Sequence, residues 1–236
     1  MLSKPVARLI QWVAALAIPI CLIALNFSLV TGASFLHWEY RRPSFPADSF
    51  GLTTEERIGL AEVAFDYVTS GAELSLLADL RLPDGAPAFN PRELSHMADV
   101  QRVYQGLMVA SLIAAGLVLA GVTILGMRGQ AQPYLPNAMV SGSLITLGLL
   151  FVIGVTMALS WNAFFTGFHR VFFEGDTWLF EYSDTLIRMF PVRFFMDYAA
   201  LVVGLLVAES IALGIAGRLW ARSATRRIGP GAPLSA

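Results

Sequence analysis

A chain of 236 residues that is 56% hydrophobic and only 14% charged carries about half the charge of an ordinary soluble domain, which holds about 25%. Its apolar residues lie in uninterrupted runs and its mean hydropathy is +0.63, which excludes a cytosolic globular protein and indicates an integral membrane protein. A formal net charge of −1 with scattered Lys and Arg offers no basic face for nucleic acid, and the single cysteine, Cys21, excludes a disulfide framework and a cysteine-based metal site.

The first element is an apolar run over 9–30. It is preceded by Lys4 and Arg8, as in a secretory signal, but it exceeds the roughly 7 to 15 apolar residues of one, so it reads as an uncleaved anchor. Cys21 follows Pro19 and Ile20 rather than small residues, which makes it a packing or lipid-facing residue rather than a lipidation site. A polar connection over 32–103 comes next. Within it, Thr53-Thr54-Glu55-Glu56 predicts a helix that opens with a capping box. Ile58, Ala61, Phe65 and Val68 fall on one face, and Gly71 closes the C-terminal end. A second start signal, Asn90-Pro91-Arg92-Glu93, is followed by no helix breaker, so residues 91–127 read as one long helix whose apolar part, 104–127, crosses the membrane. Glu93, His96 and Asp99 share one face of its polar start. A third span covers 138–160. The connection over 161–197 is rich in aromatics but too often interrupted by charge to cross. It reads as an interfacial segment in which Phe164, Phe165, Phe168, Phe172 and Phe173 surround His169. Pro191 stops a short helix before a fourth span over 198–219, which carries one intramembrane acid, Glu209.

The fold class is therefore an all-α membrane protein. One membrane domain over 1–236 is expected, with four transmembrane helices and two helical, partly interfacial extracytoplasmic segments, 32–103 and 161–197. Charge orients it. Lys4, Arg8, Arg128, Arg218, Arg222, Arg226 and Arg227 are seven basic residues without one acid, whereas the two outer segments hold more Asp and Glu than Arg. The positive-inside rule then places both termini in the cytoplasm and the two connections outside.

Three histidines exist. A histidine exchanges a proton near neutral pH, and His96 and His169, on the polar patches of different outer segments, are the candidates for such chemistry. His37, beside Trp38, reads as an interfacial structural residue. The Glu93, His96, Asp99 cluster lacks the second copy that a two-carboxylate metal site needs, and no nucleophile elbow, phosphate loop or dinucleotide fingerprint is present. No metal and no cofactor is expected.

The blocks ELSHMADVQ, FHRVFF, Trp178 and DTLIRMFPVRFF, together with FGLTTEERIGLAEVAFDYVTSG, resemble a family of small bacterial membrane proteins, the lipoprotein intramolecular transacylases (Lit). The resemblance runs from about Phe50 to Phe195. It implies transfer of the sn-2 acyl chain of a diacylglyceryl-modified lipoprotein to the α-amino group of its N-terminal cysteine, giving a lyso-form product, with diacylglyceryl lipoproteins and membrane lipid as partners. By the same resemblance His96 and His169 are the essential histidines, acting as general acid and base, while Gln101 stands where the family carries a basic residue. Glu93, Asp99, Arg170, Asp176 and Trp178 are expected to orient the histidines or bind substrate. Arg170, Arg41, Arg42 and backbone amides remain alternatives as oxyanion donors. A membrane acyl hydrolase or acyltransferase acting on another lipid, and a non-catalytic subunit of a membrane complex, are the alternative readings. If both histidines serve one proton path, their rings should lie within roughly 10 Å of each other, in a polar cavity that opens sideways to lipid.

Overall fold

The computed structural model describes residues 1–173 and 175–227, the last four of these by backbone alone, so that the side chains of Arg226 and Arg227 lie outside the described residues. Secondary structure among the described residues is helical apart from one isolated bridge between Arg81 and Pro87. Four helices are long and apolar enough to cross a membrane: α1 (Lys4–Val30), α5 (Pro91–Met127), α6 (Ala131–Leu159) and α9 (Val192–Arg227). Shorter helices fill the two connections: α2 (Ala33–Tyr40), α3 (Thr54–Ser70) and α4 (Ser75–Ala78) in the first, α7 (Trp161–Phe172) and α8 (Thr185–Met189) in the second. The long helices leave Leu112, Leu119, Phe151 and Leu159 largely exposed. Helices apolar on their outer faces as well as their inner ones need an apolar solvent, and the bilayer supplies it.

The chain divides into two compact units, each built from pieces of the same four long helices. The first consists of Met1–Ala24, Ala110–Val152 and Gly204–Ala236. Its packing depends on small residues. A Cβ added at Gly142 of α6 would stand 2.6 Å from Ile18 Cδ1 and 3.0 Å from the Ala15 carbonyl oxygen of α1, so glycine lets these two backbones approach. The Gln130 side chain ties down the chain start, accepting from the Leu2 amide at 2.6 Å and donating to the Leu2 carbonyl at 3.2 Å, beside an apolar cluster of Ala7, Leu125 and Leu135. Glu209 lies in this unit, half-buried on α9.

The second unit, Leu25–Val109 and Ile153–Val203, contains all the short helices. α3 begins as its sequence dictates: the Thr53 hydroxyl accepts from the Glu56 amide at 3.2 Å, and the Glu56 carboxylate accepts from the Thr53 amide at 2.7 Å. Gly71 ends it in the left-handed conformation, φ +73°, which only glycine adopts without penalty. The free carbonyls of that end are then met from α5. Gln101 donates to the Tyr67 and Ala72 carbonyls, and Gln105, one turn later, donates to those of Val68 and Thr69. Gln101 therefore has a structural partner in this chain. An aromatic core of Phe35, Tyr40, Phe65, Phe190 and Phe194 joins α2, α3, α8 and α9. Arg57 is buried between the Tyr40 and Phe45 rings, each 5.1 Å from its guanidinium carbon, and donates to the Pro46 carbonyl. The Arg188–Asp48 ion pair, 3.0 Å, pins the 41–52 segment beside it.

Candidate active site

Two elements of the second unit deliver the histidines. α5 opens with a reciprocal cap. The Asn90 side-chain oxygen accepts from the Arg92 and Glu93 amides, and the Glu93 carboxylate accepts from the Asn90 amide at 2.7 Å. One turn later comes His96, on a stretch that precedes the apolar part of the helix and still carries Asp99 and Arg102. α7 starts at Ser160, whose hydroxyl accepts from the Ala163 amide, and buries one side chain, His169, near its end. The two imidazoles stack face to face, with centroids 5.9 Å apart and planes inclined by 20°. Each histidine is 9% exposed.

The walls are aromatic. His169 is flanked by Phe165 at 4.0 Å, Trp178 at 5.0 Å and Phe173 at 5.3 Å; His96 is flanked by Phe173 at 4.8 Å and Phe180 at 5.3 Å. This differs from the polar cavity expected from the sequence. The expectation assumed that a reacting head group needs polar walls, whereas Phe173, Trp178 and Phe180 turn their rings inward and Arg170 and Asp176 are exposed. Two clefts of the unit lie away from the rings, one of about 410 Å³ lined by Asn90, Pro91, Arg92, Glu181 and Asp184, the other of about 430 Å³ lined by His37, Trp38, Arg41, Arg42 and Pro43.

Neither expected carboxylate touches His96. Asp99 pairs with Arg102, and Glu93, 2% exposed, gives its second oxygen to the Leu186 amide at 2.7 Å. A carboxylate three residues before a histidine lies on the same helix face, but at the first turn it is drawn to unpaired backbone amides instead. Of the other sequence candidates, Trp178 reaches His169 and donates its indole N–H to the Gly175 carbonyl at 3.1 Å. The expected interfacial histidine, His37, bonds Glu62 at 2.8 Å. Phe180, on His96, is the neighbour the sequence did not single out; nothing in its local pattern separates it from the other aromatics of the segment.

Burial sets the protonation of the pair. Removal from water pushes His96 down to about 4, with the neighbouring His169 adding to the effect. Burial lowers His169 as well, against an opposing contribution from its bond to the Phe165 carbonyl. A carbonyl oxygen only accepts, so the 2.8 Å contact fixes the proton of His169 on Nδ1 and leaves Nε2 as a lone pair. Nδ1 of His96 is buried without a partner. Among the described residues no cluster of three His, Cys, Asp or Glu side chains could hold a metal ion.

The comparisons with known proteins agree with this architecture. The chain resembles the Bacillus cereus membrane integral lipoprotein intramolecular transacylase Lit, with a TM-score of 0.76 at 19% identity over 95% of this chain and all of that one. Structures of that enzyme with one histidine replaced by arginine or by alanine match with a TM-score of 0.70 each at 19% identity, covering 95% and 94% of this chain and 95% and 96% of theirs. An uncharacterized protein of Aquifex aeolicus is 30% identical over 190 residues, 80% of this chain and 84% of that one. The sequence itself matches the family described as lipoprotein intramolecular transacylase Lit over residues 12–195, and the chain belongs to that family.

Proposed function

We propose that this protein transfers the sn-2 acyl chain of a diacylglyceryl lipoprotein to the α-amino group of the same molecule's N-terminal cysteine, with His96 and His169 as its general acid and base. Family membership supports the reaction class. The observation that carries the mechanism is the stacked pair itself: two histidines 73 positions apart in the chain, brought to 5.9 Å in a nearly dry aromatic setting.

The chemistry needs one N–C bond formed, one ester C–O bond broken and one proton moved from nitrogen to the departing glyceryl oxygen. Neutral imidazoles suit it, because a protonated ring could not accept the amine proton. His169 presents Nε2 as the base, its tautomer held by the Phe165 carbonyl. His96, neutral at rest, serves the leaving oxygen by passing to it the proton that His169 has taken from the amine. Since amine and ester belong to one molecule, attack closes a ring of about eight atoms, and the protein contributes chiefly by holding that approach and excluding water that would hydrolyse the ester. The aromatic walls fit an acyl substrate that arrives with its chains still in lipid. Both termini then lie in the cytoplasm and the pair at the extracytoplasmic face, where mature lipoproteins present their lipidated cysteine. Mass spectrometry of a lipoprotein's N-terminal peptide tests the reading: cells with the protein should yield an N-acylated peptide lacking one glyceryl ester, and a peptide identical with and without the protein would overturn it.

A further inference from the structure

We propose that Glu93 is a positioning residue, one carboxylate shared between the first turn of α5 and the start of α8, which holds the aromatic segment between α7 and α8 against the two histidine rings. The inference rests on the histidine pair being the reacting pair, and it concerns how that pair is enclosed.

Asn90, just before α5, and Arg92 and Glu93 in its first turn reach the segment or the start of α8. Glu93 Oε1 accepts from the Leu186 amide at 2.7 Å while its Oε2 accepts from the Asn90 amide at 2.7 Å. The Asn90 side-chain amide donates to Asp184 Oδ1 at 2.9 Å, and Asp184 Oδ2 in turn accepts from the Glu181 amide at 2.8 Å. Arg92 donates to the Leu179 carbonyl at 3.0 Å. Leu179 stands between Trp178 and Phe180, the residues whose rings lie on His169 and His96. Glu93 is the one fully enclosed member of the set, and two amide donors aimed at two oxygens of one group need a carboxylate. A glutamine there would satisfy one amide and turn an N–H toward the other. The buried carboxylate lies three residues before His96, so the helix turn that bears the histidine also anchors its cover.

This arrangement links Glu93 to the proton affinity of the pair without contact. The rings are held below the ordinary histidine value by burial first; loosening the segment admits water and returns them toward it. Among the described residues, the charged group facing Glu93 is Asp184, and the titratable groups facing the rings are each other.

The test uses the full chain in phospholipid nanodiscs, with ¹⁵N-labelled histidine and His37→Gln to leave two ring signals. In the unsubstituted pair both should titrate below about 6.5. Glu93→Gln should raise at least one titration by about one pH unit, with helix content by circular dichroism unchanged. Arg92→Ala, which removes an exposed tether alone, should move it in the same direction by less, and it carries the test if Glu93→Gln does not accumulate. Titrations unchanged in the variants overturn the proposal. In lipoprotein assays the expected signature of Glu93→Gln is a fall in kcat larger than the change in KM, with the acid limb displaced to higher pH. If titrations move but no lyso-lipoprotein forms even without substitution, the transacylase reading fails and the positioning role stands; transfer with unmoved titrations has the opposite meaning.

Discussion

Acidification should destabilise this protein through the two buried histidines of the proposed site. In the unfolded chain His96 titrates at about 6.5, and in the fold burial brings it to about 4. A histidine whose folded value is depressed binds its proton more readily when unfolded. The stability it contributes is thus fully present above about 6.5 and is lost as pH falls toward 4. At about 1.36 kcal/mol per pH unit the gap amounts to roughly 3 kcal/mol. His169 acts in the same direction. The Asp48–Arg188 pair persists through this window, because, against the opposing effect of burial, Arg188 and the Leu52 and Phe50 amides hold the Asp48 carboxyl below its ordinary value. Thermal unfolding of the full chain, followed by tryptophan fluorescence between pH 7.5 and 4, should show the midpoint falling through this window. His96→Gln should fall much less and keep only the part due to His169. Parallel curves for the two proteins would refute the reasoning, since they would mean that water already reaches the His96 ring.

Three further outcomes follow from the same geometry. His96→Ala and His169→Ala should each reduce lyso-lipoprotein formation by at least about 100-fold while the protein still accumulates in the membrane; retained activity in either would leave that ring a packing role. Gly142→Ala should destabilise by about 1–3 kcal/mol, because its methyl group would meet Ile18 and the Ala15 carbonyl; Ile18→Ala in the same chain should restore part of the loss, as read by the thermal midpoint. With Cys21→Ser as background, a cysteine at Gly85 should react with an impermeant thiol reagent added to intact cells and one at Gly129 should not, and the reverse pattern would move the histidine pair to the cytoplasmic leaflet.

The spans were legible because a membrane-crossing helix announces itself in one contiguous run: 9–30, 104–127 and 198–219 each lie inside a long helix of the structure, and 138–160 overruns α6 by one residue, Ser160, which caps α7 instead. The capping boxes at Thr53 and Asn90 were equally local, four residues stating where a helix starts. α5 runs from Pro91 to Met127 as its start signal indicated, whereas the structure extends α9 back to Val192, since polar residues continue a helix beyond the apolar run that reveals it. What the sequence could not place were contacts made at long range. Glu93 bonds an amide 93 positions away, and Phe180 reaches His96 from a segment whose many aromatics are indistinguishable by spacing. α2 and α7 carry no breaker pattern at both ends, and α7 declared itself only as an aromatic stretch around a histidine.

The polarity of the site was misjudged for a reason that bears on how such enzymes work. In a Ser-His-Asp site a buried carboxylate orients the histidine by accepting from its Nδ1. Here Phe165 supplies the orienting acceptor through its backbone while its ring supplies the wall, so one residue fixes the tautomer and keeps the site dry. A dry wall lowers the proton affinity of both rings, which suits the neutral base of the proposed transfer. Aromatic faces also attract the imidazolium that forms for a moment during that transfer, by about 0.5–2 kcal/mol per well-placed ring. In the proposed transfer that attraction offsets part of what burial costs the imidazolium, so the charge stays disfavoured and the proton taken from the amine is passed on to the departing oxygen rather than kept.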